Sequence, residues 1–290
     1  VTAVITDLDN TLYDWVAMWS ASFPAMLQVL VEQSGIPQET LEREARDIHR
    51  QHRTSEYAFL IESLPSLKAK HPGGNLVEIY KDAIAAYRKG RESSLVLYPT
   101  VLETLQALKA KGVRLVGFTD SLAWYSRSRL QKLRLDGVLD FLYSPADHAL
   151  PPGTTPEMVR SQEPDAYKFK YTEHRHTPEG EFKPNPKVLA DIMADIGADP
   201  RSTIYLGDSL MKDVLMAQQA GVMDVFAEYG KGQDHPGYEM LRRVTHWTDE
   251  DVEKEKQLKA RYNVHPMYTL HKAFEELLDH FEFVAFGSAL

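Results

Sequence analysis

The chain reads as an α/β protein. Its core is a Rossmann-like parallel sheet with helices on both faces, and an α-helical block is inserted near its start. Three observations predict this. Short β-branched apolar runs alternate with stretches of helical periodicity. Three of those runs end in polar turns, at Asp7, Thr119 and Asp208. Residues 15–95 break the alternation and read as consecutive helices.

Taken in order, residues 1–6 form the first expected strand, followed by Asp7-Leu8-Asp9-Asn10-Thr11. Helices are expected at about 16–33, 38–52, 55–64 and 76–89, punctuated by Pro65, Pro72-Gly73-Gly74 and Gly90. Hinges are expected near 14–15 and 93–98. Pro99 suits a helix start, with Leu102, Leu105 and Leu108 as its stripe and Gly112 as its stop. Residues 113–118 form a second strand, ending in Thr119-Asp120-Ser121. A helix over 124–133 and a short strand at 138–143 come next. Pro186 opens a helix whose stripe is Val188, Leu189, Ile192 and Ile196, with Gly197 as its stop. A strand at 203–206, the turn Gly207-Asp208-Ser209, a helix at 210–220 and a strand at 224–227 follow. Phe274, Leu277, Leu278 and Phe281 predict an amphipathic C-terminal helix. The predicted division is a core from 1–14 and 96–290, with 15–95 as a helical cap.

Residues 145–182 form an unusual insertion within the core, rich in proline and expected near the rim of the site. Structureless connections of such length are uncommon and often functional. Within it Tyr167, Phe169 and Tyr171 alternate with Lys168, Lys170 and Thr172, which predicts one arm of a hairpin turning near 178–180.

Composition narrows the function classes. The 290 residues carry a net charge of −9, spread along the chain, which argues against a nucleic-acid polymer or an anionic membrane as partner. With no cysteine, thiolate catalysis, disulfides and cysteine zinc sites are excluded. No apolar stretch reaches membrane-spanning length and no leader is visible, so a cytoplasmic setting is expected.

The chemistry concentrates at the strand ends. Two carboxylates one residue apart, Asp7 and Asp9, repel each other beside a core. A hard, oxygen-seeking cation such as Mg²⁺ is the usual compensation. In open parallel sheets ligands bind beyond the carboxyl ends of the strands. The fold would therefore bring Asp7, Thr119 and Asp208 to one edge although they lie far apart in sequence.

The full ordered set is Asp7-x-Asp9-x-Thr11, then Phe118-Thr119-Asp120-Ser121, then Phe182-Lys183-Pro184, then Gly207-Asp208-(x₄)-Asp213. It resembles the four signatures of the haloacid dehalogenase-like (HAD) superfamily, in its phosphatase branch with a helical cap after the first signature. The resemblance implies a HAD-like core and Mg²⁺-dependent hydrolysis of a small phosphomonoester through an aspartyl-phosphate. It implies Asp7 as nucleophile, and Asp9 as the acid that protonates the leaving oxygen and then takes a proton from water. It implies Mg²⁺ held by Asp7, Asp9 through its carbonyl, Asp208 and Asp213. Asp213 would act directly, through water, or by orienting Lys183. Thr119, Asp120 through its backbone, and Lys183 would bind the phosphoryl group. Asp9 favours phosphoryl transfer over dehalogenation, because a carbon–halogen bond needs no proton on its leaving group. A phosphomutase, a dehalogenase-type relative and a non-catalytic binding protein on the same scaffold are the alternatives. The implied partner is a small phosphorylated metabolite, such as a nucleotide, phosphoglycolate or a sugar phosphate, and the protein would be a monomer or homodimer.

Other residues read more plainly. Trp15, Trp19 and Phe23 recur at helical spacing and predict packing, with Trp15 and Trp19 as weak substrate-contact candidates. His49 and His52 read as a solvated helix face, and His174-Arg175-His176 as a solvated loop.

Overall fold

The computed structural model describes residues 1–159, 163–231 and 235–288. The chain separates into two compact units. One comprises Val1–Asp14, Val96–Lys231 and Asn263–Leu290; the other comprises Trp15–Leu95 and Gly232–Tyr262.

The first unit is built on a seven-stranded sheet. Its strands are β1 (Ala3–Thr6), β2 (Arg114–Phe118), β3 (Phe141–Ser144), β4 (Glu173–His176), β5 (Thr203–Gly207), β6 (Met223–Ala227) and β7 (Tyr268–Leu270). Their spatial order is β4-β3-β2-β1-β5-β6-β7, with every pairing parallel. The chain runs outward from β1 to β4, then returns to the other side of β1 with β5. That reversal flanks β1 with β2 and β5, aligning Thr6 with Gly117 and Leu206. A crevice forms where strand order reverses, beyond the carboxyl ends. β1 and β5 are buried at every residue, as expected of parallel strands covered on both faces.

The helix Pro186–Ile196 shows how local sequence serves that sheet. The Asn185 side chain accepts the Val188 amide, Pro186 occupies the first turn, and Gly197 ends the helix at φ 69°. Its stripe of Val188, Leu189, Ile192 and Met193 packs with Ile5, Val116, Phe118 and Tyr205. Each fully buried aliphatic side chain there contributes roughly 1.5–3 kcal/mol.

The second unit is helical. Its longest helix, Trp15–Ser34, lies against Lys81–Ser94. The two backbones meet at Gly90, where a Cβ would fall 2.2 Å from the Ala21 carbonyl oxygen. Trp19, Phe23, Leu27, Leu30, Leu41 and Ile48 form its interior.

The structure differs from the sequence reading at several places. The helix expected at 55–64 is confined to Leu60–Ser63, with Pro65–Lys70 as a separate short helix. Residues 232–262 were expected in the core, but Gly232–Tyr262 groups with the helical unit. The cause is visible on the helix Tyr238–Val244: Leu241 and Val244 are buried in the Trp19 cluster, and Arg243 Nε pairs with Glu42 at 2.9 Å. The hairpin arm at 167–171 is not a strand; Pro164–Tyr167 is a tight helical turn. Asp136 accepts the amides of Lys170, Tyr171 and Thr172 together, and amides converging on one carboxylate cannot form a ladder. The strand comes just afterwards, so His174-Arg175-His176 lies in β4 rather than in a solvated loop. Within the 145–182 insertion, residues 160–162 fall outside the described residues.

His49 is also not on a solvated face. It is buried, and its Nδ1–H donates to the Val244 carbonyl at 2.7 Å. The expected C-terminal helix shrinks to a tight turn, Phe274–Glu276, and Leu277–His280; Phe281 is extended and packs its ring on Tyr268. The expected helix at 210–220 opens with one widened turn, Leu210–Val214, in which the Val214 amide reaches back to the Ser209 carbonyl. Among the described residues no helix is long and apolar enough to cross a membrane.

Candidate active site

The site belongs wholly to the first unit, at the ends of β1, β2 and β5. β1 delivers Asp7, whose amide continues the ladder by donating to the Leu206 carbonyl at 2.8 Å. The chain then turns sharply, with Thr11 and Leu12 amides both reaching the Leu8 carbonyl and Asn10 at φ 61°. This turn returns Thr11 to Asp7, where its hydroxyl donates to Oδ2 at 3.1 Å. The other oxygen, Oδ1, accepts from Lys183 Nζ.

Lys183 is the centre of the cluster. Its ammonium also donates to Asp213 Oδ1 at 2.9 Å and to the Tyr205 hydroxyl at 3.1 Å. Tyr205, on β5, in turn donates to the same Asp213 oxygen at 2.9 Å. Asp213 Oδ2 accepts the Ser209 amide at 3.0 Å, so both of its oxygens are engaged. The widened turn Leu210–Val214 aims Asp213 inward, a use to which such turns are often put. The approach demands glycine before Asp208: a Cβ on Gly207 would lie 2.3 Å from Asp213 Cγ. Gly230 is required in the same way, since its Cβ would meet the Asn10 carbonyl at 1.8 Å.

β2 delivers Thr119, which is buried and whose hydroxyl oxygen accepts the Ser121 amide at 3.1 Å. The Asp120 carboxylate is turned toward the backbone amide of Lys183, at 3.1 Å, and bridges to Lys212 at 3.7 Å. It buttresses the lysine segment, so any phosphate contact from Asp120 would come through its backbone. Asp9 does not join the ammonium. Its Oδ1 accepts from Arg129 and its Oδ2 from the Ser121 hydroxyl.

Charge is crowded here. Burial pushes the Asp7 carboxyl up to about 7; Lys183 opposes that shift and Asp213 adds to it. Burial, with the nearby carboxylates of Asp7 and Asp213, pushes Asp208 well above the usual carboxylate range. Burial disfavours the Lys183 ammonium, but Asp213 and Asp7 outweigh it and hold the group well above the ordinary lysine value. Asp7, Asp208 and Asp213 each offer a carboxylate oxygen within 4.8 Å of the others. Three carboxylates facing one ammonium leave an excess of negative charge, and the donors are all hard oxygens. That set fits a hard divalent cation.

The site thus gathers Asp7, Lys183, Asp208 and Asp213, with Thr119 at the neighbouring strand end. Trp15 and Trp19 lie in the helical unit. Trp19 has no exposed surface; its indole N–H donates to the Ser55 carbonyl at 3.2 Å and its ring stacks on Phe23. It is a packing residue and has no face left for a substrate. Trp15 is partly buried, with its indole N–H on Glu56 at 2.9 Å. Four residues of the site went unassigned in the sequence, Arg129 among them. Thr11 and Ser121 stand inside the signatures, whereas Tyr205 had only its place on a strand as a signal.

Comparison with known proteins bears on the family and the fold. The profile of the haloacid dehalogenase-like hydrolases matches residues 1–221. A glyceraldehyde 3-phosphate phosphatase of Methanopyrus kandleri is 26% identical over 237 residues, covering 81% of this chain and 87% of that protein. The solved 2-haloacid dehalogenase of Pseudomonas syringae pv. tomato superposes with a TM-score of 0.55 at 17% identity, covering 97% of this chain and 100% of that one. A HAD phosphatase of Thermococcus onnurineus gives a TM-score of 0.52 at 17% identity, covering 96% and 98%. Low identity limits these two structures to evidence of the fold; the profile match over residues 1–221 places the chain in the haloacid dehalogenase-like hydrolase family.

Proposed function

We propose that the protein is a Mg²⁺-dependent phosphatase acting on a small phosphomonoester, with Asp7 as its nucleophile. The observation that carries this reading is the environment of Asp7. One of its oxygens is held by Lys183 and the other by Thr11, and the acidic cluster stands beside it. A carboxylate fixed at both oxygens is oriented for in-line attack. Asp7 Oδ bonds to phosphorus as the bond from phosphorus to the leaving oxygen breaks. Asp9 gives a proton to that oxygen, then takes one from the water that cleaves the aspartyl-phosphate. Lys183 and Thr119 offset the charge of the transferring group. Asp7, Asp208, Asp213 and the carbonyl of Asp9 would hold the divalent ion, which when bound supplies further neutralisation of the phosphoryl oxygens.

The presence of Asp9 supports cleavage of a phosphate ester, whose leaving oxygen takes up a proton, over displacement of halide, which needs none. We read the helical unit as the cap that selects the leaving group. The similarity to a glyceraldehyde 3-phosphate phosphatase makes triose phosphates the first substrates to try. The test is phosphate release from p-nitrophenyl phosphate and a panel of phosphorylated metabolites, with Mg²⁺ and with EDTA. Turnover should require Mg²⁺ and fall by at least about three orders of magnitude in Asp7→Asn. Inert wild-type protein across the panel would sink the reading; full activity in Asp7→Asn would remove the proposed nucleophile.

A further inference from the structure

Asp9 is held by a device of its own. Arg129, on the helix Ala123–Lys132, brings Nη1 to 3.0 Å from Asp9 Oδ1. Ser121 donates its hydroxyl to Oδ2, and Arg129 Nη1 lies 3.4 Å from the Ser121 oxygen. Arg129 is only 2% exposed, and its guanidinium sits 5.6 Å from the Tyr125 ring centre and 6.0 Å from that of Tyr13. An arginine is seldom withdrawn so far from water without a paired charge. The partner here is a signature carboxylate that stands apart from the Lys183 ammonium, which pairs with Asp7 and Asp213.

We infer that Arg129 is a positioning residue for Asp9, fixing the plane of its carboxylate for proton transfer to and from the substrate. The inference rests on the phosphatase reading, in which Asp9 moves protons. The two oxygens of Asp9 are not equivalent. A guanidinium only donates, so Oδ1 is committed as an acceptor. A serine hydroxyl rotates and can donate or accept, so Oδ2 is the oxygen free to change partners during turnover. Arg129 therefore anchors one side of the carboxylate while Ser121 keeps the other exchangeable. A lysine at 129 would keep the charge but lose the planar fork.

Proton delivery matters most when the leaving oxygen departs as an alkoxide and least when it departs as nitrophenolate. Misplacing Asp9 should therefore hurt the two substrate types unequally. The experiment compares kcat/KM for a simple alkyl phosphate and for p-nitrophenyl phosphate in wild type, Arg129→Met and Arg129→Lys. Arg129→Met should lose on the order of 100-fold on the alkyl phosphate. It should lose less than about fivefold on the aryl phosphate, with Arg129→Lys recovering part of the alkyl loss. Equal losses on both substrates in a folded variant would overturn the inference. A double-mutant cycle on thermal midpoints gives a second readout that needs no turnover. Arg129→Met should raise the midpoint of Asp9→Ala, because it removes a buried guanidinium left without its carboxylate. Strictly additive losses would overturn the pairing. Wild-type protein inert toward both phosphates would remove the phosphatase reading, while the cycle would still decide whether Arg129 holds Asp9.

Discussion

At the ends of β1 and β5, three carboxylates crowd around one ammonium. The interior of the helical unit is instead aromatic and aliphatic, with Trp19, Phe23, Leu27 and Leu30 at its centre and the neutral ring of His49 beside them. Both regions exclude water, but for opposite purposes. Apolar burial stabilises in proportion to the area removed from water. Buried charge costs desolvation, and pairing only offsets that cost. The charged region is thus maintained against its own instability, as a binding or reacting site must be. The apolar region holds its unit together.

Removing one charge should expose this contrast most sharply. Lys183→Met would leave Asp7 and Asp213 buried without their cation, and should cost roughly 3–5 kcal/mol in urea unfolding. A loss below about 1 kcal/mol would show that the carboxylates reach another source of compensation.

Acid should find the other region. Burial pushes the His49 imidazole down to about 4, against an ordinary value of 6.5, so the folded protein keeps it neutral. Below 6.5 the unfolded chain takes up the proton first. The contribution of His49 is therefore complete above about 6.5 and is lost as pH falls toward about 4, by about 1.4 kcal/mol per unit. Comparing urea midpoints of wild type and His49→Gln across that window isolates the effect. Parallel pH profiles would contradict it. The smallest expected change is a local one. Asn185→Ala removes the cap on the Val188 amide and should cost about 1 kcal/mol in thermal unfolding, with the charged cluster intact.

The same contrast explains what could be read in advance. β1, β2 and β5 are short apolar runs that end in polar turns, and their topology brings those turns together. The convergence of Asp7, Thr119 and Asp208 could therefore be read from the strand pattern, whereas Lys183 and Asp213 joined them only through the resemblance to the family's ordered signatures. Pro186 and Gly197 marked a helix because each carries its backbone preference locally. β4 could not be read, because Asp136 ties down 170–172 from more than thirty residues away. Nor could Leu241 and Val244 be assigned to Trp19, since an apolar pair on a short helix does not reveal which core it enters. Arg129 was invisible for a related reason: arginine on a helix is ordinarily a solvated residue.

The two-segment make-up of the helical unit bears on how the protein is synthesised. Trp19 leaves the ribosome early, but Leu241 and Val244, which complete its surroundings, emerge only after β6. During that interval the apolar cluster around Trp19 lacks two of the side chains that complete it. The sheet strands β1 to β6 can pair meanwhile, but β7 and the buried Phe274 and Leu277 emerge after Val244, so elongation order completes the helical interior before the last strand of the hydrolase core.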